Sequence, residues 1–411
     1  MIASGPTGSR MRVLVGYAQY TDRLSYFDDW LDAFAAASQF DVVPLNIVAS
    51  DAKTQLPRLL REVDAVVLLH STNGDTTIYL EPHVEALACR NVPLLTFVGN
   101  EVNLPGSPIA DKRRLFAILK PEFVATQLLL EAGKYLFDDV AVRKVVAIPH
   151  ALNPAAYQST KASQDRTLDV GARAVRYLPH LGDDDRNRLL QWFADHGSTY
   201  GLDVEISDER LDRKGWADYL NQCKATVATE AGSRFLERDD ATVNAIRDYV
   251  LSKQNKGFVL RNDSVFRRFG HLLPWWVKSI MRDAMRKGPI RHEALINEQL
   301  DSKEIFDKFF AGRPRPQFYG KCVSSRHFDA AGTKTCQIMF RGRFNDIFNA
   351  NEHYLALEPD FSNIDDVLAT FRDPVRRQRV TDAAYDLVRT KHTYGQRMQQ
   401  IYDLFAASDQ R

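Results

Sequence analysis

Lys321–Ile338 reads KCVSSRHFDAAGTKTCQI: a short apolar run, two serines and an arginine, an aromatic residue and an acid, two alanines and a glycine, then a second apolar run. The pattern predicts a strand, a turn and a helix. Small residues let a backbone approach a ligand closely, and the free N–H groups of a helix start receive anions. Arg326 and Lys334 add positive charge, and Asp329 can accept hydrogen bonds from hydroxyls. These are the parts that hold a sugar joined to a diphosphate. An ordinary strand–turn–helix with a solvated arginine and a capping acid has the same composition, so the rest of the chain decides.

A chain of 411 residues has room for two or three domains. Its hydrophobic share of 45% and charged share of 26% are those of a globular protein. A net charge of +1 gives no global case for nucleic-acid binding, so any electrostatic argument is local. Cys89, Cys223, Cys322 and Cys336 form no CxxC pair, which fits reduced thiols in the cytoplasm and neither a disulfide frame nor a zinc site. No apolar run approaches the ~20 residues that span a bilayer. The first residues, MIASGPTGSR, lack the apolar centre of a signal peptide and are read as a disordered leader or tag remnant.

From Met11 onward, short apolar runs alternate with helical stretches. MRVLVGY (11–17), FDVVPLNI (40–47), DAVVLLH (64–70), VPLLTFVG (92–99) and KVVAIPH (144–150) read as strands, with helices at 26–38, 52–63, 79–90 and 121–137. Continuously apolar strands separated by helices imply a parallel sheet covered on both faces. Ligands of such sheets bind at the carboxyl ends of the strands. Those ends carry His70, Asn73 and Asp75 in one loop, and Asn100 and Glu101 in another. His70 and Glu101 are candidate catalytic groups, and Asn73, Asp75 and Asn100 candidate acceptor contacts.

Residues 151–167, rich in small and polar residues, read as a linker. A second α/β series follows, with a strand and an open loop in DVGARAVRYLPHLG (169–182), strands at LDVEIS (202–207) and ATVATEAGS (225–233), and helices at 183–193 and 216–223. The acids Asp183, Asp184 and Asp185 suit a first helical turn better than a metal site. Residues 235–316 read as a helical insertion without clear strands. Within it, 256–292 holds nine Lys or Arg against two Asp, centred on FGHLLPWWVKSIMRDAMRKG (269–288), which reads as a basic amphipathic helix for a membrane face, an acceptor or its own domain. Strands at TKTCQIMF and HYLALEPD, a helix at 363–371 and one long helix from Pro374 to Phe405 complete the chain. The domains expected are thus 1–10 (leader), 11–150, 151–167 (linker) and 168–375 with part of 376–411, the last helix crossing back to the first domain.

Three segments, SSRHFDAAGTKTCQ, NDIFNANEHYLALEPDFSNIDDVLATF and HTYGQRMQQIYDLF, resemble in order the C-terminal half of CgeB-like glycosyltransferases, relatives of the retaining glycosyltransferase family four. VVAIPHALNPAAY (145–157) is similar to the junction that precedes the linker in those proteins. The resemblance implies the GT-B fold: an α/β protein of two Rossmann-like domains, here with a helical insertion in the second. It implies transfer of a sugar from a nucleotide-sugar donor to a glycan or lipid-linked acceptor, in bacterial surface polysaccharide synthesis, without a metal or other cofactor and with retention.

In those families two acids bracket the donor. Asp329 resembles the one on the ribose, where relatives have Glu, and Glu230, in TEAGS, the one near the sugar. The resemblance further places Ser324, Ser325, Arg326, Gly332, Thr333 and Lys334, with Arg173, Arg176, Gly232 and Ser233, on the donor. The glycine follows the acid more closely than in the family pattern, and Glu101 leaves an inverting route open. The competing expectation is an inactive scaffold that binds a nucleotide or glycan. Localisation is expected to be cytoplasmic, with peripheral contact at the inner membrane face through 269–288, and nucleic acid is not an expected partner.

Overall fold

The computed structural model describes residues 10–19, 25–253, 258–260, 290–292, 300–314, 316 and 318–408. Six parallel strands form the first sheet, in the order β2-β1-β3-β4-β5-β6: β1 (Met11–Tyr17), β2 (Phe40–Asn46), β3 (Ala65–Leu68), β4 (Leu94–Phe97), β5 (Phe123–Thr126) and β6 (Lys144–Ala147). The inner strands β3, β4 and β5 are buried at every residue. Their side chains therefore alternate between two apolar layers. Val66, Leu94 and Val124 face one, and Val67, Leu95 and Phe123 the other.

The second sheet is also parallel, in the order β15-β14-β9-β7-β8. Its members are β7 (Leu168–Arg173), β8 (Val204–Ser207), β9 (Cys223–Ala228), β14 (Cys336–Phe340) and β15 (Leu355–Leu357). Between β9 and β14 an antiparallel pair, β10 (Ala231–Gly232) with β13 (Lys321–Cys322), closes the base of the inserted segment. The chain thus leaves and re-enters the second domain at one place. The insertion contains helices Ala241–Lys253 and Ser302–Phe309, and also a short parallel pair, β11 (Phe258–Leu260) with β12 (Ile290–His292), so it is not wholly helical. The basic stretch at 269–288 lies outside the described residues.

Two other expectations are corrected. The stretch 121–137 is not one helix: FVAT forms β5, and only Leu130–Phe137 is helical, preceded by the helix Ile109–Leu119. The β-branched and aromatic residues of FVAT suit a buried central strand. The terminal helix is two, Pro374–Lys391 and Tyr394–Ala406, broken at His392–Thr393. There the chain crosses the linker: Leu152 N donates to His392 O at 2.8 Å and Tyr394 N to Leu152 O at 3.0 Å. A capping box between Thr393 and Gln396 starts the new helix. Tyr394, Met398, Ile401 and Phe405 then pack into a core layer of the first domain beside Trp30, Phe34 and Phe97.

The acids at the start of helix Asp185–His196 have a structural partner. Lys321 Nζ, almost fully buried, lies 2.7 Å from Asp183 Oδ2 and 2.7 Å from Asp185 Oδ2. Among the described residues, no helix is long and apolar enough to cross a membrane.

Candidate functional site

A cleft of about 440 Å³ lies between the carboxyl ends of the two sheets. Its second-domain wall is cationic. Arg173, Arg176, Arg186, Arg210 and Arg326 line it, together with Ser324 and Ser325 at the start of helix Ser325–Gly332. Ser324 caps that helix in a reciprocal box with His327, whose Nδ1 accepts from Ser324 N at 2.9 Å. Burial lowers the His327 pKa to about 3, so its ring is a neutral acceptor at Nδ1. The arginines differ in what already holds them. Arg173 is paired with Glu205 and Glu209 and lies 4.6 Å from the Tyr219 ring centre, so its charge is largely answered. Arg176 donates to Gln191. Arg186 stacks on Tyr177 at 3.8 Å, a contact that leaves its N–H groups unspent.

Arg326 is enclosed by protein at longer range, yet its side chain reaches water through the cleft. Burial, then the like charges of Arg186 and Arg210, lower its pKa to about 10. It stays protonated at neutral pH, and an anion placed between the three guanidiniums relieves their repulsion.

Asp329 faces the same cavity from the second turn of the helix. It is 3% exposed, and burial raises its pKa well above the carboxylate range; the nearby Asp29 adds to this, while Trp216 and Arg326 oppose it. Trp216 Nε1 donates to its Oδ2 at 3.0 Å, and Oδ1 has no hydrogen-bond partner.

The first-domain wall carries His70, Asp75, Asn100 and Glu101. Asn100 Nδ2 donates to Asp75 Oδ1 at 2.8 Å. Glu101 accepts from the Thr126 hydroxyl, and from Gln127 N at 2.7 Å. Burial lifts its pKa to about 7 against those donors and the nearby Lys112. Lys112 is itself buried, and burial brings its pKa down to about 8 although Glu101 and two aspartates raise it. Its Nζ ties down the loop by donating to Gly99 O at 2.5 Å and Asn100 O at 2.8 Å. His70 stacks on His150, with ring centres 5.0 Å apart, and its Nε2 is unpartnered. Burial holds the His70 pKa well below the usual histidine range, so the ring is neutral.

Six expected residues lie off the cleft. Glu230 Oε1 accepts from Phe344 N at 2.7 Å and Oε2 from the Tyr319 hydroxyl, so both oxygens secure loops of the second domain. Ser233 is buried, its Oγ donating to Leu181 O at 2.7 Å. Asn73 joins the strand-end loops, bonding Phe97 O and Gly99 N. Gly332, Thr333 and Lys334 stand at the far end of their helix, about 12 Å from its N-terminus. Gly332 packs against Leu152 and Tyr157, Thr333 Oγ1 donates to Asp329 O, and Lys334 pairs with Asp382 at 2.7 Å. The helix runs on to Gly332 before turning at Thr333–Lys334, so the glycine serves packing against the linker. Conversely, Arg186, Arg210, Trp216 and His150 line the cleft without having been singled out. His150 ends β6's segment and Arg210 follows β8, the strand-end positions where ligands bind.

A family model described as "Glycosyl transferase-like" matches residues 265–403. No curated protein matches the chain by sequence. Among solved structures, the T4 phage BGT in complex with its UDP-glucose substrate superposes with a TM-score of 0.50 at 10% identity, covering 96% of this chain and 98% of that one. The sucrose-phosphate synthase of Thermosynechococcus elongatus gives 0.49 at 12% identity (97% and 100% covered), and the Anabaena HepE protein in complex with UDP-glucose 0.47 at 9% (97% and 100%). With two parallel Rossmann-like sheets facing each other across one cleft, the chain has the GT-B fold.

Proposed function

We propose that the chain is a glycosyltransferase that takes a sugar from a nucleotide-sugar donor seated against the second domain. The observation that carries this reading is the placement of Arg186, Arg210 and Arg326 beside a buried carboxyl group with one unpartnered oxygen, Asp329 Oδ1, in a single cleft. Arginines and a helix N-terminus suit a diphosphate, and an open carboxylate oxygen suits a ribose hydroxyl. In the reaction, the glycosidic C–O bond to the diphosphate breaks as the acceptor hydroxyl attacks the same carbon. The guanidiniums stabilise the charge that grows on the leaving diphosphate, the part a divalent cation plays elsewhere.

On the acceptor side, Asp75 is engaged by Asn100 and Glu101 by Thr126 and Gln127. Among the described residues no carboxylate there stands free as a general base, which favours a retaining course in which the departing phosphate oxygen takes the acceptor proton. His70, neutral and with Nε2 open, offers a hydrogen bond to a sugar hydroxyl. We assign the acceptor to the glycans and glycoconjugates of bacterial surface synthesis, and the protein to the cytoplasm, on the sequence resemblance alone.

The position of Glu230 outside the cleft favours a second reading, a nucleotide-binding protein without turnover. Calorimetric titration with UDP, GDP, ADP and CMP compounds, followed by a donor-consumption assay with the sugar nucleotide of the base that binds, separates them. Binding with consumption supports the transferase, and binding without consumption the scaffold. Absence of binding to the whole panel refutes both.

A further inference from the structure

The two oxygens of Asp329 differ: Oδ2 has a donor and Oδ1 has none. Trp216 Nε1 donates to Oδ2 at 3.0 Å, and that bond fixes which way the carboxylate plane turns. Trp216 is itself held. It is 8% exposed and stacks on Tyr219 within the helix Arg213–Leu220, and Asp212 caps that helix by accepting from Gly215 N at 2.7 Å. One turn earlier, Arg213 reaches the first domain, 3.2 Å from Asp29 Oδ1 and 2.5 Å from Asp32 Oδ2. The indole therefore sits on a helix anchored at its start, and its N–H meets a carboxylate without any other side-chain donor.

We infer that Trp216 is a positioning residue that commits Asp329 to reading a single ribose hydroxyl of the donor. The inference rests on the donor site proposed above and narrows it. A carboxylate free at both oxygens grips two neighbouring hydroxyls as a pair. Here Oδ2 already accepts from the indole while Oδ1 accepts from nothing, so Oδ1 is the favoured acceptor and the site distinguishes the 2′-hydroxyl from the 3′-hydroxyl. Replacing the indole by an apolar ring keeps the packing and releases the carboxylate to rotate. Selectivity for the hydroxyl should fall, while attraction for the phosphates stays.

The test is titration of wild type, Trp216→Phe and Asp329→Asn with the tightest-binding nucleoside diphosphate of UDP, GDP, ADP and CDP, its 2′-deoxy and 3′-deoxy forms, and pyrophosphate. Wild type should bind one deoxy form about tenfold more weakly than the parent, as expected for loss of one hydrogen bond, and the other about equally. Trp216→Phe should lose most of that ratio with pyrophosphate affinity unchanged. Trp216→His, which keeps a ring N–H, should recover part of it. An undiminished ratio in Trp216→Phe overturns the inference, as does a parallel loss of pyrophosphate binding, which would make Trp216 general packing. If wild type binds the diphosphates but ignores both deletions, the ribose assignment of Asp329 fails and the inference with it. If it binds none, the transferase reading itself fails.

Discussion

Asp29 tests how the two domains are joined. It lies on the helix Ser25–Ala36 of the first domain, 1% exposed, and its Oδ1 accepts from Asn153 Nδ2 at 2.8 Å in the linker and Arg213 Nη1 at 3.2 Å in the second domain. Burial raises its pKa from 3.8 to about 6, although Asn153 and Arg213 pull it down. The pKa of Arg213 is raised by its two aspartates, so the attraction is real; on Asp29 desolvation outweighs it. A native carboxyl with a raised pKa holds its proton longer than the unfolded chain does. Between pH 4 and pH 6 the native state therefore binds more protons, and its stability falls as pH rises. Moving a pKa from 3.8 to about 6 corresponds to about 3 kcal/mol. Asp29→Asn keeps an acceptor oxygen for Asn153 and does not titrate. Urea denaturation of both chains from pH 4 to pH 7 should show their stability difference moving by about 2 kcal/mol of that total in the variant's favour as pH rises, since the unfolded carboxyl is already largely ionised at pH 4. Comparing the pair isolates Asp29 from the other buried acids. Two stability curves that stay parallel across that range would refute the reasoning.

Arg326→Ala should weaken nucleoside diphosphate binding by about ten- to a hundredfold, because a charge-assisted contact is lost, while urea stability holds or improves as the three-arginine repulsion is relieved; calorimetry and denaturation read the two effects. Glu230→Gln should cost about 1–3 kcal/mol of stability by upsetting its bonds to Tyr319 and Phe344, with nucleotide affinity unchanged in the same titration. Gly99→Ala places a methyl group 2.5 Å from Gly74 Cα and 3.0 Å from Gly74 N, backbone atoms that cannot swing away. It should cost about 1–3 kcal/mol by overpacking and displace the acceptor-side loops, lowering turnover while nucleotide affinity on the opposite wall stays.

The double sheet was readable because its strands are short, continuously apolar and separated by helix-length segments, as in DAVVLLH and VPLLTFVG. The strand FVAT is not legible in sequence because PEFVATQLLLEAGKYLF also satisfies helical spacing, and only burial between β4 and β6 settles it. The break at His392–Thr393 is tertiary in origin, set by the linker residue Leu152, which bonds to the chain on both sides of it. At the site, the start of the motif, Ser324 to Arg326 and Asp329, was legible from residue type. Its end was not, since FDAAGTK carries no mark that the helix runs on to Gly332. Glu230 looked catalytic because its partners, Tyr319 and Phe344, lie 89 and 114 residues away in the chain.

The buried acids of this protein separate by what remains to be satisfied on each oxygen. Glu230 has a donor on both oxygens, and Glu101 has the Thr126 hydroxyl on one and Gln127 N on the other. Neither needs a ligand to complete its hydrogen bonding, and both brace loops. Asp329 has a donor on one oxygen alone, and leaving a buried polar atom unmet costs about 1–3 kcal/mol. Across the cleft, His70 Nε2 is in the same condition. A ligand that bridges the cleft and meets both atoms recovers those two costs, and its phosphates in addition relieve the repulsion among Arg186, Arg210 and Arg326. The unmet atoms lie on opposite domains, so the gain is complete only when the domains are held together, which is what the Arg213 contact to Asp29 and Asp32 provides. Loosening that contact should therefore weaken the bridging sugar nucleotide more than the nucleoside diphosphate, whose proposed contacts lie on one domain only. Arg213→Ala, titrated with both, measures that difference directly, and equal losses for the two ligands would show that the cleft does not act as a unit.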